Sequence, residues 1–128
     1  VSNAARKWLR GKVGLSQEYG VSVHKTQDGP LVIRYHENGD AEKVVPAFSW
    51  DDIVNLVAFG HTHAEGGYCG DLVPSSLELA NDERRFYDRE WARWLQDQTM
   101  EHPLFFIEGL EGSVAYTATE SYRIPPPY

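Results

Sequence analysis

Leu56-Val57-Ala58-Phe59-Gly60-His61-Thr62-His63 is the stretch on which the fold turns. Leu56 to Phe59 is an apolar run too short for a helix and bounded by Gly60, the pattern of a buried central strand. His61-Thr62-His63 stands at its end. Side chains at i and i+2 of a strand point to the same side, so the two imidazoles are expected to face one way and can share one metal ion. Zinc is the default for histidine nitrogen combined with carboxylate oxygen, and catalytic zinc sites keep three protein ligands with water in the fourth position. A third ligand is therefore expected close by. Glu65, Asp71 and Glu78 follow in sequence, and Cys69 is a further chemical possibility.

Upstream, Ala4, Ala5, Trp8 and Leu9 recur at helical spacing between Ser2 and Lys12, with Gly11 and Gly14 as stop signals. The period changes at Glu18. Tyr19, Val21 and Val23 alternate with Gly20, Ser22 and His24, then Asp28-Gly29-Pro30 precedes Leu31 to Tyr35, which predicts two strands joined by a turn. Asn38-Gly39-Asp40 is a further turn signal, and Lys43 to Phe48 reads as a third strand of an antiparallel meander. Ser49, followed by Asp51 and Asp52, has the form of an N-cap with an acidic first turn, so a short helix is expected there.

Downstream, Gly66, Gly67, Gly70 and Pro74 mark a loop. Ser75 is read as the start of one long helix, with Leu77, Ala80, Tyr87, Trp91, Trp94 and Leu95 on its apolar face and an end before Pro103. Leu104 to Glu108 and Ser113 to Ala118, split by Gly109 and Gly112, predict a closing strand pair before a Pro-rich tail. His24 and His36, on strands near turns, are expected to face solvent, and the Trp91–Trp94 pair to pack into the core. The sum is a single α+β domain over residues 1–128, with a mostly antiparallel sheet flanked by a short N-terminal helix and one long helix.

Composition sets bounds on function. The 128 residues carry 12 Lys and Arg against 19 Asp and Glu, a formal net charge of −7. Affinity for a phosphate backbone comes largely from Lys and Arg displacing counterions, and no basic run is present, so nucleic-acid binding is not expected. The 41% hydrophobic and 12% aromatic content supplies a core and argues against disorder. A single cysteine, Cys69, excludes an internal disulfide framework and a Cys-only metal site. No apolar stretch approaches the roughly 20 residues that span a bilayer, so a soluble chain without membrane association is expected. A start at Val1 reads as a fragment of a longer protein.

Glu18 at a strand start, the His61-x-His63 pair after a buried strand, and a Ser75-x-x-Glu78 pair opening a helix occur in that order. This arrangement resembles the JAB/MPN (JAMM) zinc metalloprotease family, most of all the compact bacterial branch found as C-terminal domains of polymorphic toxins and effectors. The resemblance extends along nearly the whole chain through the order of elements, including Phe105 to Gly109 and Ser113 to Tyr116 as the last hairpin. It implies an α/β/α-like JAB/MPN domain that hydrolyses a peptide or isopeptide bond in a protein or peptide substrate, with Zn2+ as cofactor. His61, His63 and Glu78 would then be the metal ligands, Glu18 the general base, and Ser75 the hydroxyl that polarises the scissile carbonyl. It implies secretion or delivery into a target cell as part of a larger effector, and an immunity protein or the parent polypeptide as a partner. Ala64 stands where the family usually has Pro, the gap from His63 to Ser75 is longer than usual, and Glu78 replaces an Asp.

Other readings stand beside this one. Ser75 and Glu78 have the S-x-x-E spacing of a capping box, which competes with zinc for Glu78. Asp71 is the alternative third ligand. Metal-free domains of the JAB/MPN fold serve as interaction modules, and a metal-dependent nuclease is a further class. Gly60 to His63 also matches the last motif of calcineurin-like phosphoesterases, but the earlier elements of that family do not occur between Val1 and Phe59.

Overall fold

In the computed structural model, residues 2–37, 48–63, 71–75, 87–99 and 102–127 are described. Their elements are α1 (Ser2–Arg10), β1 (Tyr19–Lys25), β2 (Leu31–Glu37), α2 (Trp50–Val54), β3 (Leu56–Thr62), α3 (Asp88–Gln98), β4 (Leu104–Gly109), β5 (Gly112–Tyr116) and β6 (Ser121–Ile124). The strands form one sheet in the order β2-β1-β3-β4-β5-β6. Every pairing is antiparallel except β3 with β4. The domain is thus α+β, with a mostly antiparallel six-stranded sheet, as the sequence pattern predicts. β3 is central and buried along nearly its whole length, which accounts for its unbroken apolar run.

A parallel pair needs a long crossover, and the segment between β3 and β4 carries α3 across the sheet. Its apolar stripe packs with Ile53, Leu56, Phe59, Phe105, Ile107, Val114 and Tyr116 through Ala92 and Leu95. Trp91 and Trp94 lie stacked at the edge of this cluster, as expected of core packing. The opposite sheet face is covered by α1, whose Ala5 and Leu9 pack with Val21, Val23, Ala58 and Phe106. Gly60 serves this second core. A Cβ there would fall inside the ring of Phe106, which stands beside it in the parallel register.

Several boundaries differ from expectation. Ser75 is not helical, and the helix carrying Trp91 and Trp94 begins at Asp88. The strand expected over Lys43 to Phe48 lies mainly outside the described residues, and Phe48 itself is not in a strand. The stretch before the terminal prolines holds β6, paired with β5, where only a tail was expected. The short helix is α2, closed by the capping box of Ser49 and Asp52.

One charged network ties the α1 side together. The Arg6 guanidinium lies 3.1 Å from Glu108, which is fully buried and also accepts from Ser113 Oγ at 2.7 Å. Arg6 further donates to the carbonyl of Pro125, drawing the C-terminal segment onto α1. Removing one partner of such a pair leaves the other as an uncompensated buried charge, at a cost of about 3–5 kcal/mol. Arg6→Ala is therefore expected to lower the unfolding free energy by about that amount in urea titration. A loss below about 1 kcal/mol would show that Glu108 is neutral or otherwise solvated. Gly60→Ala is expected to cost at least the roughly 1–3 kcal/mol of ordinary overpacking, because the obstructing Phe106 ring is fully buried. Unchanged thermal stability of that variant would mean that the ring yields freely.

Candidate metal centre

The centre lies at the carboxyl end of β3, under the N-terminus of α3. Strand alternation puts Phe59, His61 and His63 on the α3 side, opposite Ala58 and Gly60. His61 is buried, and its Nε2 lies 3.1 Å from Nε2 of His63. Both imidazoles thus meet on one side, as the i, i+2 spacing predicts.

The carboxylate that closes the group is Asp88. Its Oδ2 stands 3.2 Å from Nε2 of His61 and 3.2 Å from Nε2 of His63. Three ligand-type atoms therefore form a nearly equilateral triangle. In a tetrahedral site with metal–nitrogen bonds of about 2.0–2.1 Å, neighbouring ligand atoms stand about 3.3 Å apart. The observed triangle has the dimensions of one face of such a tetrahedron, so the residues present fit a zinc ion. Burial alone would raise the Asp88 pKa. The charge of His61 and the hydrogen bonds from His61 and His63 outweigh it and hold the carboxyl well below its usual range.

Glu18 is the second carboxylate of the group. It sits at the mouth of β1, beside β3, and is buried, unlike an ordinary strand-start acid. Its oxygen and one ring nitrogen each of His61 and His63 all lie within 4.8 Å of one another. The sequence order that singled out Glu18, His61 and His63 thus brings all three to one point.

Ser75 meets the site through Asp88. Its backbone N–H donates to Asp88 Oδ2 at 2.8 Å, and its Oγ accepts from the Asp88 N–H at 2.9 Å. The Ser75 carbonyl also accepts from the Arg89 N–H at 3.0 Å. These bonds have the reciprocity of a capping box, made by residues far apart in sequence. The S-x-x-E spacing pointed to Glu78 as the reciprocal partner, whereas Ser75 bonds Asp88. Glu78, Glu65 and Cys69 lie outside the described residues. Asp71 is engaged elsewhere: its two oxygens accept from the N–H groups of Leu110 at 2.9 Å and Glu111 at 2.8 Å, closing the β4–β5 turn.

Asp88 is the residue that sequence reasoning missed. The apolar spacing through Tyr87, Trp91 and Leu95 merged it into a helix already running from Ser75. A signal was present, since Asp88 and Glu90 make the acidic first turn expected at a helix start.

Next to the centre on the same face lies a second imidazole network, where solvent-facing histidines were expected. His24 is buried and His36 is partly so. His24 Nδ1 is 2.9 Å from the Asp52 carbonyl, which only accepts, so Nδ1 carries the proton. Nε2 of His24 then accepts from the Ser22 hydroxyl at 2.7 Å, and His36 Nε2 donates to Ser22 Oγ at 2.8 Å. With Nδ1 protonated and Nε2 accepting, the His24 ring in this chain is neutral. Burial, then the neighbouring His24 and Arg34, push His36 down to about 4, and Asp52 offsets this only in part. Burial likewise lowers His24, against the hydrogen bond to Asp52.

A depressed histidine pKa means that the unfolded chain takes up the proton first as pH falls. The stability held by this network is complete above the ordinary value of 6.5 and drains away as pH falls toward about 4. Unfolding free energy measured across that window is expected to fall more steeply for the wild type than for His36→Gln. Parallel curves would show that His36 carries no linked proton.

Comparison of the chain with protein-family models, with curated proteins and with solved structures gives no match.

Proposed function

We propose that this domain is a zinc-dependent peptidase of the JAB/MPN type, hydrolysing a peptide or isopeptide bond in a protein or peptide substrate. The observation that carries the reading is the His61–His63–Asp88 triangle with the Glu18 carboxylate beside it. His61, His63 and Asp88 would hold the ion. Zinc bound there supplies a Lewis acid and brings the pKa of a coordinated water down toward about 7.

The chain's own groups divide the remaining work. Glu18 is buried with a carboxylate oxygen within 4.8 Å of a ring nitrogen of each histidine, so it would take the proton of the attacking water and return it to the leaving amine. Ser75 Oγ accepts the helix N–H through a lone pair and keeps its own proton to donate. That hydroxyl is oriented to stabilise negative charge on the scissile carbonyl oxygen. Asp88 links the two functions, because the bonds that close the cap also orient the carboxylate. Its first-turn position on α3 keeps it short and rigid, which suits an acid required at one point in space.

Elemental analysis of the purified domain is expected to give about one zinc per chain, in line with a three-ligand site. The double variant His61→Ala, His63→Ala is expected to hold none. Asp88→Ala is expected to lose zinc, while Glu78→Ala and Asp71→Ala retain it. Glu18→Gln is expected to keep the metal and lose peptide hydrolysis, a defect of several orders of magnitude in turnover and little in zinc content. Full activity of Glu18→Gln would remove the general-base assignment. A wild type that takes up no zinc on incubation would make the domain a metal-free interaction module.

A further inference from the structure

Two polar atoms beside the histidines are left over by the arrangement above. Tyr116, on β5, is 2% exposed, and its hydroxyl oxygen is enclosed without a hydrogen-bond partner among the described residues. An unpaired buried hydroxyl is costly, and Phe would fill the same space without it. The other atom is Asp88 Oδ1. The contacts of that carboxylate with His61, His63 and Ser75 all run through Oδ2, so Oδ1 stands outside them.

Two contacts bring the residues that carry these atoms to the same side of the site. The Tyr116 ring stands edge-on to His61 with centroids 6.1 Å apart. Arg89, the residue after Asp88, donates to the carbonyl of Thr117, the residue after Tyr116, at 2.8 Å. The start of α3 is thereby fastened to the end of β5. Burial, reinforced by the charges of Asp88 and Glu18, pushes the Tyr116 hydroxyl well above the ordinary tyrosine range.

We infer that Tyr116 is a positioning residue of the metal centre: when Asp88 commits Oδ2 to a cation shared with His61 and His63, the Tyr116 hydroxyl donates to Oδ1 and holds the carboxylate in its ligating orientation. This rests on the reading of His61, His63 and Asp88 as metal ligands. Outer-shell partners of this kind fix the direction of a ligand and contribute about 10–100-fold in metal affinity. The unpaired Tyr116 hydroxyl then gains its partner in that arrangement.

Tyr116→Phe in the full chain, titrated with zinc against a competing chelator, tests this. The metal-free variant is expected to unfold at the same or a higher temperature than the wild type, while its zinc affinity falls about 10–100-fold. A merely structural tyrosine would shift the first quantity and not the second. Zinc affinity within about twofold of a zinc-binding wild type overturns the role of Tyr116 and leaves the ligand set standing. A wild type without zinc affinity overturns both. A readout that needs no variant is the near-ultraviolet difference spectrum on adding zinc to the wild type. A tyrosine perturbation is expected there, and a flat spectrum overturns the inference.

Discussion

The parallel pairing of β3 with β4 is the constraint on which the rest of the arrangement depends. Every other neighbouring pair in the sheet is antiparallel, and this one exception obliges the chain to cross the sheet between Thr62 and Leu104. The crossover delivers α3 to the face where Phe59 and His61 point. It ends its loop at the carboxyl end of β3, where two histidines already meet. In α/β architecture the crevice beyond the carboxyl ends of parallel strands is a recurrent ligand site. Here the candidate site lies at the carboxyl end of a single parallel pair.

At that crevice, helix capping and site assembly are the same set of hydrogen bonds. Ser75 satisfies the free N–H groups of Asp88 and Arg89 at the start of α3, and Asp88 accepts from Ser75 in return. A helix N-terminus favours an anion, so the Asp88 charge is stabilised by its position before any cation is considered. The same carboxylate is drawn toward the two imidazoles. Arg89 completes the frame by gripping the carbonyls of Thr117 and Glu120 at the β5–β6 turn. The candidate site is thus braced by β1, β3, β5 and α3 together, which is how a small domain can hold several buried polar groups in fixed directions.

Polar groups are buried on both faces of this sheet, and each face handles them differently. Below α1, Glu108 pairs with Arg6, with Ser113 satisfying its second oxygen. On the α3 side, Ser22, His24 and His36 form a neutral relay that ends on a backbone carbonyl. The first depends on keeping a charge pair, the second on avoiding charge altogether. Tyr116 and Asp88 Oδ1 differ from both, since neither network reaches them.

Local pattern made much of this legible in the sequence. The short apolar run ending in Gly60, the alternation from Tyr19 to His24, the Ser49 cap and the glycine-split closing hairpin each specify an element through residues adjacent in the chain. The i, i+2 rule likewise placed His61 and His63 together, and their order with Glu18 suggested a common site that the fold brings to one point. The third carboxylate was different. Glu78, Asp71 and Asp88 are all acids downstream of the histidines, and covalent spacing carries no preference among them once a loop separates them from the strand. Tertiary structure decided the matter for two of the three: Asp71 went to the β4–β5 turn and Asp88 to the histidines, while Glu78 lies outside the described residues. The burial of His24 and His36 was decided the same way, because other elements supply Asp52 and Phe48 around His24 and Ser22, Phe48 and Phe59 around His36. The sequence by itself determined five of the six strands, the cap of α2 and the shared direction of two imidazoles. Only the folded chain decided which acid faces them, because that choice depends on where a crossover lands and not on how many residues it contains.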